Sequence, residues 1–286
     1  MRARSQSLIE LNVAVLLWAG TALFAKWIPL PAFEITGLRS VVATLVLLVA
    51  LKAGRQDLGI SERRDLGILV LSGLAMAAHW ITYFESIQVS TVAIGILALH
   101  TYPVMTAILE PLWFGERLRA MDLGMAGLVL VGVAVLVPEF SLRSRVLQGI
   151  LWGVVSAALF TARNLLTRRL GQRYRGSKIT FYQLLAAAVA LTPVVLAAGR
   201  PVSSTATFQV ILLGAVFTAL PHTLYTNALQ HLSARTVAVI ATLLPVYGAL
   251  SAALFLGEIP SGRTILGGLI ILGTVTAETW RALQRR

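Results

Sequence analysis

Long apolar runs, each interrupted by a short gap carrying Arg, Gly or Pro, follow one another along the whole chain. A helix needs about 20 mostly apolar residues to cross a bilayer. Ten stretches meet that requirement: residues 8–28, 32–52, 65–87, 91–114, 120–137, 146–166, 179–198, 205–229, 236–256 and 263–282. They are about twice as long as membrane β-strands and lack the strand's apolar–polar alternation, so they predict helices. Together they use most of the sequence and leave no stretch long enough for a soluble domain. The pattern predicts an all-α integral membrane protein with ten transmembrane helices. The first run follows two arginines in MRARSQSLIE, as a signal segment would. It continues beyond the length of a signal core, and no small-residue cleavage site follows. It reads as a first membrane helix.

The gaps set an orientation. With the N-terminus inside, the inner gaps and ends carry 17 Lys and Arg and the outer gaps carry 4, namely Arg143, Arg145, Arg200 and Arg263. Positive loops stay on the cytoplasmic side, facing anionic lipid. The bias predicts a multi-pass protein of the cell inner membrane with both termini cytoplasmic.

Two segments of the chain match. STVAIGILALHTYPVMTAILEPLWFGE (90–116) and TVAVIATLLPVYGALSAALFLGE (236–258) align Pro103-Val104 with Pro245-Val246 and Gly115-Glu116 with Gly257-Glu258, all at an offset of 142. At the same offset Tyr83 meets Tyr225 and Gln88 meets Gln230; one residue less brings Gly132 to Gly273. Five spans is an odd number, so a second half that repeats the first enters the membrane the other way up. The expected domains are a first five-helix repeat, 1–140, and a second, inverted one, 141–286. Many secondary transporters use this plan.

Composition sharpens the class. Of 286 residues, 57% are hydrophobic and 13% charged, with a mean hydropathy of +0.81. A soluble domain carries about 25% charged residues. The net charge of +12 would suggest nucleic acid in a soluble protein, but here the basic residues sit between apolar runs, so the lipid bilayer is the expected partner and nucleic acid is not. There is no Cys, hence no disulfide framework, thiolate metal site or cysteine nucleophile. The GxGxxG, Walker A, HExxH and GxSxG patterns are missing, so no ATPase or hydrolase signature is present. The aspartates, Asp57, Asp65 and Asp122, do not form the acidic clusters that would hold a magnesium diphosphate. A non-enzyme without a cofactor is expected. Monomer and homodimer stay equally open.

Pro103 followed by Gly115-Glu116, the same set at Pro245 and Gly257-Glu258, the 5+5 plan, and Arg39 within GLRSVVATLVLL resemble the EamA-type members of the drug/metabolite transporter superfamily. The polar-aromatic third and fourth runs are most similar to those of the YddG-type aromatic amino acid exporters. The resemblance covers nearly the whole chain. It implies an inner-membrane carrier whose central cavity is lined mainly by spans one, three, four, six, eight and nine.

Several residues could serve such a cavity. Met76, His79, Trp80 and Tyr83 are spaced i, i+3, i+4, i+7 and share a helix face. Their π faces and imidazole suit an apolar side chain or an ammonium group, and also suit plain packing. His100 and Tyr102 precede Pro103, and Trp18, His222 and Tyr225 complete the expected substrate-binding set. Two facing histidines could hold a metal, but nothing nearby supplies the further ligands, so no metal site is expected. Pro103 and Pro245 each remove a helix hydrogen bond, as a hinge or a static kink. Buried charges must face protein or water. Arg39 is expected to bond backbone carbonyls, and Lys26 to snorkel outward. Arg163 either snorkels to the inner surface or faces the cavity and attracts a carboxylate. The expected function is a secondary carrier exporting amino acids, neutral or aromatic, without obligatory proton coupling. A carrier of an anionic or phosphorylated metabolite and a proton-coupled drug exporter are the alternatives.

Overall fold

The computed structural model describes residues 2–115, 117–118, 120–168, 170–228, 232 and 240–284. Among these the chain is helical, with no strand. The helices are α1 (Arg2–Trp27), α2 (Ala32–Ala53), α3 (Arg63–Val89), α4 (Val92–Leu99), α5 (Tyr102–Phe114), α6 (Ala120–Leu136), α7 (Arg145–Thr167), α8 (Gly176–Ala198), α9 (Ser204–Gly214), α10 (Leu220–Ala228), α11 (Leu244–Leu256) and α12 (Gly262–Gln284). Seven stretches are long and apolar enough to cross a membrane: Ser5–Trp27, Ala32–Ala53, Arg63–Val89, Val92–Trp113, Arg145–Thr167, Gly176–Ala198 and Ser204–Tyr225. Ala120–Leu136 and Leu244–Leu256 are shorter apolar helices.

Polarity is inverted relative to a soluble protein. Ser40, Ser72, Ser156, Thr161, Gln183 and Thr218 are fully buried, whereas Leu254, Leu196 and Leu130 are 80%, 73% and 68% exposed. Apolar side chains on that scale are stable outside only where the surrounding solvent is hydrocarbon. The protein is a multi-pass membrane protein.

Helix starts follow local chemistry. The side-chain oxygens of Thr91, Ser144, Ser203 and Ser261 accept the N–H three residues on, at 3.3, 3.4, 3.2 and 3.2 Å, and open α4, α7, α9 and α12. Each cap satisfies one of the N–H groups a helix start leaves without a partner.

Three expected spans are broken. The run at 91–114 is two helices, α4 and α5, meeting at the turn of His100 and Thr101. Pro103 sits in the first turn of α5, where its missing N–H does least harm. Pro245 occupies the same place in α11, after a turn at Thr242 and Leu243. The backbone repeats in detail: Thr101 has φ −74° and ψ −15°, Leu243 has φ −77° and ψ −13°. Both helices end on a left-handed glycine, Gly115 (φ 74°) and Gly257 (φ 67°), a conformation that a residue with a Cβ resists. The matching residues Glu116 and Gln230, and the start of the run expected at 236–256, lie outside the described residues.

The third break is in the run expected at 205–229. Between α9 and α10, Ala215–Ala219 forms a π-helical turn. Such a turn frees carbonyls from the helix ladder. Here side chains take them up: Thr218 Oγ1 donates to Leu213 O at 2.8 Å, Thr21 Oγ1 to Phe217 O at 3.1 Å, and His222 Nδ1 lies 2.7 Å from Thr218 O.

The helices pack in matched pairs. α3 lies along α7 and α1 along α10; α4 and α5 also pack on α7, and α11 on α1. α2 packs on α8 and α6 on α12. Among the contacts that need glycine, a Cβ on Gly73 would stand 2.7 Å from the Gln183 carbonyl oxygen, and one on Gly214 would stand 2.6 Å from Val42 Cβ and 3.0 Å from the Arg39 carbonyl oxygen. These close approaches bring α3 onto α8 and α9 onto α2.

Candidate functional site

The stripe on α3 divides in two. His79 and Tyr83 stack on each other, 6.2 Å between ring centroids at 17°, and His79 faces α7. Phe160 of α7 extends this set: its ring lies 4.9 Å from His79 and 4.8 Å from Tyr102, which in turn meets His100 at 6.0 Å. One chain of rings thus runs from Tyr83 through His79, Phe160 and Tyr102 to His100, drawn from α3, α7 and the α4–α5 break. Trp80 turns the other way. The Arg39 guanidinium of α2 lies over its ring at 3.9 Å and over the Phe84 ring at 5.2 Å.

Hydrogen bonds fix the imidazoles. Ser156 Oγ gives its single proton to the His79 carbonyl at 2.9 Å, and His79 Nδ1 lies 2.7 Å from that same Oγ and 3.1 Å from the Ser156 carbonyl oxygen. Nδ1 must therefore carry the ring proton. His100 Nδ1 faces the Ile96 carbonyl oxygen at 2.8 Å, which requires the same proton placement. In the neutral ring, Nε2 of both histidines is then the acceptor.

A second aromatic set comes from α1 and α10. Trp18 meets His222 at 5.2 Å and Tyr225 at 5.1 Å. Arg163 of α7 links the two sets. It lies 5.6 Å from the Phe160 ring and within electrostatic range of His79, His222 and Tyr225. Its Nε and Nη2 donate to Gln183 Oε1 at 3.1 and 2.6 Å, and Nη1 donates to Asn164 Oδ1 at 3.4 Å. Gln183 Nε2 donates onward to Ser72 Oγ at 3.1 Å. The Arg163 charge is thus hydrogen-bonded by neutral groups.

Two basic residues depart from the sequence reading. Arg39 bonds no backbone carbonyl; it is 2% exposed, stacked on Trp80, and its Nε and Nη1 have no hydrogen-bond partner. The flat guanidinium gains more from an aromatic face than from helix carbonyls already used in the α2 ladder. Lys26 does not snorkel: its Nζ donates to the Ser90 carbonyl oxygen at 2.7 Å and lies 3.7 Å from Glu258 Oε1.

The acidic residues described here sit away from the rings. Glu34 pairs with Arg200, Glu110 with Arg168, Asp122 with Arg281, and Asp65 with Arg173. At the α2–α3 connection, the Gly59 N–H and then Lys178 hold the Asp57 carboxyl below the usual carboxylate range. Among the described residues no three His, Asp or Glu side chains group as metal ligands.

Two cavities lie elsewhere. An apolar groove of about 680 Å³ runs between α6 and α12, along Met125, Leu269, Gly273 and Trp280. A smaller one, about 210 Å³, opens beside Thr91, Ala93, Glu258 and Arg263. Neither is lined by residues of the ring chain. Sequence reasoning missed Phe160, Ser156 and Gln183. A Phe, a Ser and a Gln within an apolar run carry no signal until their partners on α3 are known.

The EamA-like transporter family profile matches residues 8–137 and again residues 147–277. The chain belongs to the EamA-like transporter family. Named relatives in it are transporters rather than enzymes. The pseudopaline exporter CntI of Pseudomonas aeruginosa is 26% identical over 243 residues, 85% of this chain and 84% of that protein. A probable terminal-alkyne amino-acid exporter of Streptantibioticus cattleyicolor is 26% identical over 293 residues, 99% of this chain and 96% of its own. The threonine/homoserine exporter RhtA of Salmonella typhimurium is 26% identical over 264 residues, 91% of this chain and 86% of its own. A solved crystal structure superposes with a TM-score of 0.68 at 18% identity, covering 99% of both chains, and so shares the fold. Membership in the EamA-like family makes this protein a membrane transporter of small metabolites.

Proposed function

We propose that the protein is a secondary carrier that exports amino acids, neutral or aromatic, across the inner membrane by alternating access. The observation that carries this reading is the ring chain Tyr83–His79–Phe160–Tyr102–His100 with Trp18, His222 and Tyr225, which offers π faces and neutral hydrogen-bonding groups around two guanidinium groups and, among the described residues, no carboxylate. Such a lining suits a carboxylate-bearing substrate with an apolar side chain. The printed names of the relatives point the same way, toward export of amino acids and related small metabolites.

The architecture we assign is ten spans in two inverted five-helix repeats, 1–140 and 141–286, with both termini cytoplasmic. Three observations support it. The family profile matches twice. The breaks before Pro103 and Pro245 and the glycines that close α5 and α11 repeat at an offset of 142. The packing is reciprocal: α1 on α10 and α11 has its counterpart in α7 on α3 and on α4–α5. A two-fold relation between halves produces that exchange, and two conformations related by it are the basis of alternating access.

The unpaired charge on Arg39 favours a second reading, a carrier of an anionic or phosphorylated metabolite. One experiment separates the two. Vesicles reconstituted with the protein and loaded with labelled phenylalanine, threonine or a sugar phosphate are compared with empty vesicles. Amino acid efflux above the control supports the first reading. Sugar phosphate movement without amino acid efflux replaces it with the second.

A further inference from the structure

The geometry points to Arg39, rather than Arg163, as the group that receives the substrate's carboxylate. This rests on the amino-acid carrier reading above. Arg163 already has its three nitrogens engaged by Gln183 and Asn164. Arg39 is the opposite case: it is 2% exposed, and among the described residues it takes part in no ion pair and its Nε and Nη1 have no hydrogen-bond partner. A buried cation without a counter-charge is unfavourable, and an arriving anion removes that penalty only while it is bound.

The surroundings hold the group ready. Trp80 lies flat beneath the guanidinium at 3.9 Å, and Phe84 flanks it at 5.2 Å. Stacking fixes the plane and leaves the N–H edge for a carboxylate oxygen. The backbone of Arg39 runs close to Gly214, where a Cβ would stand 3.0 Å from its carbonyl oxygen, beside the π-helical turn. Phe84 in turn meets the Tyr83 ring at 6.0 Å, so an anion on the guanidinium would lie one ring away from Tyr83. Trp80 then serves as a positioning residue for Arg39, and the aromatic side chain of the substrate goes to the Tyr83–His79–Phe160 face. The class recognised is a monocarboxylate with an apolar tail, the ammonium group being secondary.

Binding of three probes to the detergent-solubilised full-length protein tests this: L-phenylalanine, 3-phenylpropionate and 2-phenylethylamine. They share a ring and differ in carboxylate and amine. The wild type is expected to bind the two carboxylates at least about tenfold more tightly than the amine. Arg39→Gln is expected to weaken carboxylate binding about 30-fold or more, the range for losing one partner of a buried charge pair. Arg39→Lys keeps the charge without the stacked fork and is expected to bind with intermediate affinity, which keeps the test decisive if Arg39→Gln does not fold. Unchanged carboxylate binding in Arg39→Gln, or in Arg39→Lys when only that variant folds, overturns the assignment. So does a wild type that binds the amine as tightly as the carboxylates or binds neither carboxylate. Loss of 3-phenylpropionate binding in the Arg39 variants supports it even when vesicles export no amino acid, so the two readings fail separately.

Discussion

Lys26 and Glu258 meet across the molecule, Nζ to Oε1 at 3.7 Å, at the ends of α1 and α11. Glu258 Oε2 also accepts the Val92 N–H at 2.8 Å, and Lys26 Nζ donates to the Ser90 carbonyl oxygen at 2.7 Å. One carboxylate and one ammonium thus tie α1, the α3–α4 turn and the α11–α12 connection together. In the proposed orientation this is the outer end, so the contact closes the outer side of the carrier.

Glu258→Gln should loosen that closure. The pair is about a quarter exposed on each side, and such pairs contribute up to about 1 kcal/mol. That corresponds to an approximately fivefold shift in population toward an outer-open form. The chain has no Cys, so a single Ala93→Cys in the cavity beside Glu258 gives a clean reporter. Its labelling by a membrane-impermeant thiol reagent should be about fivefold faster in the Glu258→Gln background.

Ser156→Ala removes the hydroxyl that bridges α7 to the His79 ring and carbonyl. One net hydrogen bond is worth about 1 kcal/mol, with more lost if the His79 carbonyl goes unsatisfied. Thermal unfolding in detergent should show that decrease. Efflux of aromatic substrates should drop several-fold because the ring loses its fixed orientation.

Pro103→Ala and Pro245→Ala supply an N–H for the carbonyl four residues back and allow their two broken spans to become continuous. If the breaks are where the helices bend between states, either variant should transport more slowly. Stability should change by no more than about 1 kcal/mol, since proline in a first turn strains little. Initial efflux rates beside unfolding midpoints check both halves of this expectation, and native rates in both variants count against a hinge.

Energy coupling is predicted from where the acids lie. Glu34, Glu110, Asp65, Asp122 and Glu258 are each ion-paired toward helix ends, and His79 and His100 commit Nδ1 to backbone carbonyls. None of these acids is placed among the rings as a proton carrier. Efflux from vesicles clamped at equal pH and zero potential should therefore proceed at a substantial rate. Uphill accumulation under an imposed pH difference alone, lost in His79→Ala or His100→Ala, would falsify this.

The α2–α3 connection should loosen in acid. The Asp57 carboxyl is held below its ordinary value by the Gly59 N–H and by Lys178, so its contribution is present above the unfolded value and is lost as pH falls through the lower, folded one. Hydrogen exchange at the Gly59 amide should show protection that persists at neutral pH and declines progressively as the pH falls below about 4.

The helical class, the membrane setting and the family were legible from sequence because each rests on a one-dimensional pattern. A run of about 20 apolar residues must be satisfied by its own backbone bonds whatever its neighbours are. Pro103, Pro245, Gly115 and Gly257 act on the backbone locally, so the repeat and its proline positions were legible as hinges or kinks, whereas the full breaks at 100–101 and 242–243 and the left-handed helix ends were not. What each side chain faces depends on which helix lies opposite. The periodicity of α3 placed His79, Trp80 and Tyr83 on one stripe, yet α7 takes His79 through Ser156 and Phe160 while α2 takes Trp80 through Arg39. The same holds for the buried charges. Only tertiary packing set Gln183 against Arg163, left Arg39 without a partner and brought Glu258 to Lys26, because helical spacing gives a side chain's direction and not the atoms it will meet.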